Sequence, residues 1–595
     1  MVHREKSHLY FGGGPASCYI IYLSVSYFGF ESGKSGMIYE ESSPKWFRSA
    51  LLLAASFALM YPLWQLGDRE LYWSESSFAA MASEIDWEHL TMKAHGELIP
   101  LSFPLFPWLA AALQQQLGIG IELALRGISV GALGIITVMI WETGRRAAGL
   151  QAGVVAAAMM LSSNIVMEKA IDGYPTLLCA GLLMTAWLTW FWFGAVDGHW
   201  NRAWMYSMFF GGLCFYTVGW EGIVYYFVPL IFMRRPLSFW PKLRRAGFYN
   251  GVAILVFFIL LWGIPRLASG EVFRSIPLGR GEFEGYWDHF FNFPLDVLVR
   301  FLPWTFIAWA PFCVALQPLD RNPIFSRFLR TIVISLFVVL WISPYTEARD
   351  IVLLAAPLAL LTGMNYWIVV RRYGHRIKAL LPYFAGAGLL SGAAIIVFYA
   401  TPVEWWNHLL HLSRGCGFHD QPKYLLIGVL NGLLVALASL VLLTLPRDRV
   451  PVWSAVLLFT AMVGMTFWSL PHPYRSQEAG KRVLGKELHE AVAATRLNPK
   501  VVYKDSRIGF LYGECYYMGY PVKTIKKINE LPSDQKDVLL ISNEFPLDPS
   551  RVWTNLLPER KKYLHDKIYL WHGVINPKKV LNRNDIPIDK LSLDE

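Results

Sequence analysis

Three kinds of side chain in this sequence sit where membrane-surface chemistry would need them. The stretch Gly67-Asp68-Arg69-Glu70-Leu71-Tyr72-Trp73-Ser74-Glu75 places a carboxylate, Asp68, directly after an apolar run at about 46–66. A carboxylate at the edge of the bilayer, part-shielded from water, is suited to accept a proton from a hydroxyl. Its bland alternatives are to cap the helix that follows or to pair with Arg69. A second acid, Asp172, lies in Met167-Glu168-Lys169-Ala170-Ile171-Asp172-Gly173-Tyr174-Pro175, between two further apolar runs, with Lys169 as its obvious structural partner. Ionisable groups beside lipid are costly and usually face a cavity or a partner. Arg349, in Pro344-Tyr345-Thr346-Glu347-Ala348-Arg349-Asp350, stands at the mouth of another run. There a guanidinium can hold a phosphate by forked hydrogen bonds, or simply snorkel to the headgroups. Glu221, in Gly219-Trp220-Glu221-Gly222, also carries charge next to an apolar span, while Lys93, His95, Arg274 and Arg280 are weaker phosphate candidates.

The elements that must position these residues are hydrophobic helices. Over 595 residues the chain is 54% hydrophobic, 15% aromatic and only 16% charged, with a mean hydropathy of +0.36. Soluble domains carry about 25% charged residues, so the composition excludes a soluble, disordered, collagenous or disulfide-scaffold protein. About thirteen stretches are apolar enough to span: 46–66, 124–143, 149–166, 176–195, 203–219, 221–234, 247–265, 298–317, 331–343, 351–370, 379–400, 424–445 and 452–470. The basic clusters Arg145-Arg146, Arg234-Arg235 with Lys242, Arg244 and Arg245, then Arg321, Arg327 and Arg330, then Arg371, Arg372, Arg376 and Lys378, then Arg447 and Arg449, all fall on alternate connections. By the positive-inside rule these face the cytoplasm. The net charge of +10 is thereby a topology signal and needs no nucleic-acid partner.

The expected architecture is therefore a polytopic α-helical membrane protein of about 13 transmembrane helices. Residues 1–45 form an N-terminal extension, cytoplasmic or interfacial. No small-residue cleavage site follows its apolar run at 18–30, which argues against a signal peptide, and Met37 is an alternative start. Residues 46–470 form the transmembrane core, with outer loops at 67–123, 266–297 and 401–423. Within the first loop, 76–85 and 103–117 read as interfacial helices, because Pro104 and Pro107 break a deep span. Residues 471–595 turn polar and read as a small periplasmic α/β domain. Its amphipathic helix covers 478–496, with Leu484, Leu488 and Val492 at four-residue spacing, and its strands lie at 501–503, 538–542 and 567–571.

In order along residues 46–470, these motifs resemble the C-type membrane glycosyltransferases, and within them the bacterial aminoarabinose transferase and protein O-mannosyltransferase relatives. Asp68-Arg69-Glu70-Leu71-Tyr72 is similar to that family's Asp-Glu-x-x-Tyr opening of the first outer loop. Glu168-Lys169-Ala170-Ile171-Asp172 resembles its second-loop acid. Phe301-Leu302-Pro303-Trp304 resembles the Leu/Pro-Trp start of a later span, and Arg349 with Pro357-Leu358-Ala359-Leu360-Leu361 its Arg-x-x-x-x-Pro-x-x-Pro-Ala-Leu-Ala-Leu stretch. The sequence also departs from the pattern. Ser102-Phe103-Pro104-Leu105 stands where a phosphate-touching Lys is usual, Trp220-Glu221-Gly222 replaces a Lys-Gly-Pro, and Arg69 occupies an acidic position.

The resemblance implies transfer of a sugar from a polyprenyl-phosphate donor to an acceptor hydroxyl on a lipid, protein or cell-envelope glycan. It also implies inversion, at the periplasmic face of the bacterial inner membrane. Asp68 is then the base or acceptor-orienting carboxylate and Asp172 its helper. Arg349, Arg69, Lys93 and His95 hold the donor phosphate, and Tyr72, Glu75 and Glu221 bind substrate. The donor brings its own activated bond, so no cofactor is expected. Neither is a metal, although an ion between Asp68 and Asp172 is the less favoured alternative. The rival readings are a transporter or flippase of lipid-linked substrates, and a catalytically inactive envelope-assembly scaffold. Cys416 and Cys515, both placed outside, are either a disulfide between the last long loop and the C-terminal domain or two unrelated thiols. Nothing in the pattern fixes the oligomeric state.

Overall fold

The computed structural model describes residues 66, 70–85, 93–98, 103–268, 286–344, 346–402, 405, 422–444, 452–470, 480–497, 499–508, 511–557 and 568–575. Asp68, Arg69, Arg274, Arg280 and Cys416 lie outside them, as do residues 1–45. Helix α1 (Trp73–Ser83) opens the first long loop. A two-residue hairpin follows, β1 (Lys93–Ala94) with β2 (Glu97–Leu98), and then α2 (Leu105–Leu117). Both helices fall where short surface helices were expected, and Pro104 is the residue that caps the start of α2.

The bundle then runs through α3 (Ile121–Ala148), α4 (Leu150–Ser162), the short α5 (Asn164–Lys169) and α6 (Thr176–Thr189). It continues with α7 (Trp200–Val218), α8 (Trp220–Ile231), α9 (Ala246–Ala268), α10 (Tyr286–Arg300) and the single turn α11 (Thr305–Ala308). Helices α12 (Pro323–Ile342), α13 (Ala355–Ala400), α14 (Pro422–Thr444) and α15 (Val452–Ser469) complete it. Six helical segments among the described residues are long and apolar enough to cross a membrane, or seven if a bent pair counts as one span. The chain is a multi-pass membrane protein.

Three of the expected spans, 298–317, 351–370 and 379–400, are built differently. Residues 298–317 do not form one helix: α10 and the segment after it meet at 105°. Prolines at 303, 311 and 318 each remove a helix hydrogen bond and clash with the preceding turn. The stretches 351–370 and 379–400 are not separated by a basic loop either. Helix α13 runs unbroken for 46 residues, about 69 Å at ~1.5 Å per residue, against a hydrocarbon core of about 30 Å. Arg371, Arg372, Arg376 and Lys378 therefore lie on a helix. The helix accommodates both Gly374 and Pro382, and Arg371, Arg372, Arg376, Lys378, Ala379, Leu380 and Leu381 around them are good helix formers. The C-terminal half of α13 packs with α14 and α15 through Ile395, Phe398, Tyr399, Val435, Ala461 and Met465.

The helices sort charge to their two ends. At one end Arg321 donates to the Ala148 carbonyl (2.9 Å) and Arg327 to that of Arg235 (3.4 Å). Lys242 lies 4.1 Å above the Trp200 ring and donates to Ser238 O (2.9 Å). At the other end stand the loops that carry the candidate site.

Beyond the bundle, α16 (Lys481–Ala494) buries Leu484, Leu488 and Val492. It leads to β3 (Val502–Asp505), α17 (Tyr512–Met518), β4 (Val522–Ile525), β5 (Asp537–Ser542), β6 (Arg551–Asn555) and β7 (Tyr569–Ile575). The sheet order is β4-β3-β5-β7-β6. Strand β3 pairs in parallel with β4 and β5, whereas β7 is antiparallel to β5 and β6. Strands β3, β5 and β7 match the expected runs. Strands β4 and β6 were missed because Val522-Lys523-Thr524-Ile525 and Arg551-Val552-Trp553-Thr554-Asn555 are short and half polar.

Candidate functional site

The first loop is pinned by a buried ion pair. Glu75 and Arg126 are 3% and 1% exposed, 2.9 Å apart. Glu75 also accepts the amides of Tyr72 (3.0 Å) and Gly173 (2.7 Å). The first bond satisfies an orphan donor at the start of α1; the second reaches into the loop of Asp172. Arg126 spends its remaining donors on the carbonyls of Leu66 (2.5 Å) and Glu70 (2.9 Å). Glu75 was expected to bind substrate. Its oxygens are instead used inside the protein, whereas Tyr72 is 47% exposed.

The second loop is held from three sides. Ser129 on α3 donates to the carbonyls of Asp172 (2.8 Å) and Tyr174 (3.2 Å). A chain of charges follows, from Asp172 to Lys169 (3.3 Å), Lys169 to Glu168 (3.2 Å) and Glu168 to Arg300 (3.2 Å). The pairing of Asp172 with Lys169, its structural alternative, is thus present, while Asp172 stays about a fifth exposed. The Arg349 guanidinium lies flat on the Tyr174 ring at 3.6 Å and pairs with Glu347 at 2.5 Å. Phe78 of α1 also packs on Tyr174, in a T-shaped contact with ring centroids 5.3 Å apart. Burial pushes the Tyr174 hydroxyl well above its ordinary range, the charge of Arg349 opposes this, and those of Glu347, Asp350 and Glu221 add to it. Glu221, in the first turn of α8, accepts from the Tyr225 hydroxyl (3.4 Å). Arg349, Glu347, Asp350 and Glu221 therefore surround Tyr174, while Asp172, two residues earlier on the same loop, has its carboxylate on Lys169.

Lys93 and His95 go elsewhere. Their hairpin docks on the C-terminal sheet, where the Thr524 amide donates to His95 O (2.9 Å) and the His95 ring packs on Tyr512. Glu84 accepts the amides of His95 (2.8 Å) and Gly96 (3.0 Å) and so holds the turn. His95 is 3% exposed. Burial, with the nearby charge of Lys504, lowers its imidazole to about 3. A neutral, enclosed imidazole offers no charge to a phosphate, so His95 belongs to the junction and not to the site. Lys93, on β1, shares that hairpin and is half-buried.

The same junction grips the first loop. Glu70 accepts the Arg482 amide at the start of α16 (3.2 Å), a favourable place for an anion. Lys481 donates to Leu71 O (3.2 Å). The Tyr517 hydroxyl accepts the Leu71 amide (2.8 Å) and donates to Glu122, which also pairs with Arg482 (3.0 Å). Cys515 is a free thiol, buried in the C-terminal core and pushed up to about 12 by that burial. Cys416, the other half of the pairing considered, lies outside the described residues.

Sequence reasoning missed Arg126, Tyr174 and Arg300. Arg126 did carry a signal, as a lone cation in the first turns of an apolar span. Tyr174 stood in the quoted motif without a role, since only the fold lays Arg349 on it. Among the described residues no group of three or more His, Cys, Asp or Glu side chains could hold a metal ion.

Fold and site define a multi-pass helical membrane protein whose polar loops meet at one end of the bundle under a small α/β unit. No family model matches the sequence, and no characterised protein matches it by sequence. Among solved structures the chain is similar to ArnT from Cupriavidus metallidurans in the apo state. The identity is 17% and the TM-score 0.63, covering 88% of this chain and 98% of that one. The same protein bound to undecaprenyl phosphate matches at 17% identity, TM-score 0.62 and the same coverage. The Archaeoglobus fulgidus oligosaccharyltransferase is a remote match, at 13% identity and TM-score 0.38 over 80% of this chain and 63% of that one. The chain has the fold of ArnT.

Proposed function

We propose that this protein is an integral membrane glycosyltransferase, moving a sugar from a polyprenyl-phosphate donor to an acceptor hydroxyl with inversion. The observation that carries this reading is Arg349 seated over Tyr174, in the loop of the second acid, at one end of an ArnT-like bundle. The basic helix ends lie opposite, so the positive-inside rule supports placing the site on the periplasmic face of a bacterial inner membrane. ArnT binds undecaprenyl phosphate in one of its structures, which supports a carrier of that class here.

In the reaction the acceptor oxygen bonds to the anomeric carbon as the carbon–oxygen bond to phosphate breaks. Asp68 takes the acceptor proton, and the lipid phosphate leaves with the bonding pair. Asp172 orients the acceptor or the sugar hydroxyls. Arg349, with Arg69, meets the charge that develops on the leaving phosphate. Glu221 and Tyr72, the outward-facing groups nearby, contact substrate. No step requires a metal or cofactor.

The test is turnover of labelled polyprenyl-phosphate sugars by the purified full chain. A well-placed base contributes about 10²- to 10⁴-fold, so Asp68→Asn should lose at least about 100-fold in rate with unchanged expression. An Asn variant as fast as wild type refutes the assignment. A protein that carries labelled lipid across vesicles without cleaving it is a transporter instead.

A further inference from the structure

We infer that Glu75 and Arg126 are the positioning residues of the site, one buried ion pair that fixes the first and second loops against each other. This rests on the glycosyltransferase reading for its catalytic consequence, but the clamp itself is a statement about geometry. Arg126 holds the carbonyls of Leu66 and Glu70, residues that bracket Asp68 in sequence. Glu75 holds the amide of Gly173, next in sequence to Asp172. The pair therefore ties backbone beside one candidate acid to backbone beside the other through two side chains, with no solvent between them at 1% and 3% exposure.

The residue types fit this task and little else. Only a guanidinium presents a rigid fork that bonds two carbonyls and a carboxylate at once; a lysine is a single point. A carboxylate accepts from Arg126 and two amides together, which an amide oxygen does less strongly. A buried ion pair is weak evidence for stability compared with apolar packing, and fixing one geometry is its better-attested use. Packing closes the same joint. A Cβ at Gly173 would sit 2.8 Å from Leu125 Cβ and 3.4 Å from Glu75 Cγ, so the loop has no room to approach differently.

Two variants test it in the full chain in nanodiscs. Glu75→Gln keeps the volume and removes the charge. Gly173→Ala keeps both charges and pushes the loop off its seat. Amide exchange followed by mass spectrometry should speed up by about tenfold or more at 170–175 in both variants. In Glu75→Gln it should also speed up at 70–78, with α3 and α6 unchanged. On a turned-over donor, kcat should fall about 100-fold, as expected for a displacement near 1 Å, with KM within about threefold. Restoring the charge with Glu75→Asp should recover part of kcat. Exchange at 170–175 that stays within twofold of wild type in Glu75→Gln overturns the clamp. Faster exchange with unchanged kcat overturns the positioning role. A wild-type protein that turns over no lipid-linked sugar sinks the functional reading, and the exchange result still decides the clamp.

Discussion

Replacing Arg349 by alanine should weaken binding of a phosphate-bearing lipid by about 30-fold. The guanidinium is 22% exposed and stacked on Tyr174, so its direction is set before any ligand arrives. Charge-assisted hydrogen bonds contribute about 1.5–3 kcal/mol. Glu347 competes for the same cation at 2.5 Å, but it is 58% exposed and therefore well screened. The lower half of that range is the reasonable expectation, about 2 kcal/mol, or roughly 30-fold at ~1.4 kcal/mol per decade. Arg349→Lys keeps the charge and loses the fork and the stack, the latter worth about 0.5–1 kcal/mol at a part-exposed site; a loss of about fivefold should result. Glu347→Gln should tighten binding slightly by releasing the competitor. The assay is titration with undecaprenyl phosphate in nanodiscs, read by native mass spectrometry, with undecaprenol as the control lacking the phosphate. Alanine binding within twofold of wild type, or an equal loss for undecaprenol, would refute the phosphate role.

Two further outcomes follow from the junction with the C-terminal unit. Tyr517→Phe strands the buried Leu71 amide and removes one donor from Glu122; an unpaired buried donor costs about 1–3 kcal/mol. Limited proteolysis should then release the C-terminal unit faster than from wild type, while Tyr516→Phe, which removes neither bond, should behave as wild type. His95 is held neutral, at about 3 against an ordinary 6.5, so the unfolded chain binds more protons between those values and stability rises with pH there. The contribution is whole above about 6.5 and falls by up to ~1.4 kcal/mol per pH unit below it. Proteolysis at the hairpin should accelerate from pH 7 to pH 5, and His95→Asn, which tolerates the positive φ of 56° at this position, should flatten that dependence.

Much of the fold was legible because hydropathy is additive along a chain. Apolar length marks a helix whatever packs against it, and the helices at 121–148, 176–196 and 323–342 appear close to where composition placed them. The expectation failed where a local signal was outweighed. The basic run at 371–378 suits a loop by charge, yet α13 runs through it, Gly374 and Pro382 included. Pro303 stands at the bend in the stretch 298–317, whose hydropathy alone suited a span. At the site the acids and Arg349 were visible as charges out of place beside apolar runs. Glu75 and His95 looked the same and turned out to be spent on Arg126 and on the docked hairpin.

Residue types and their order alone determined that this chain lives in a bilayer and where its charges interrupt or flank apolar runs. Transfer free energies belong to single residues and need no partner to be read. Only the folded molecule decided that Arg349 lies on Tyr174, that Arg126 reaches Glu75 across 51 positions, and that a C-terminal helix start receives Glu70 across 412. Contacts of that kind depend on distances between segments remote in sequence, and no local pattern encodes which of several similar charges will be left facing the solvent.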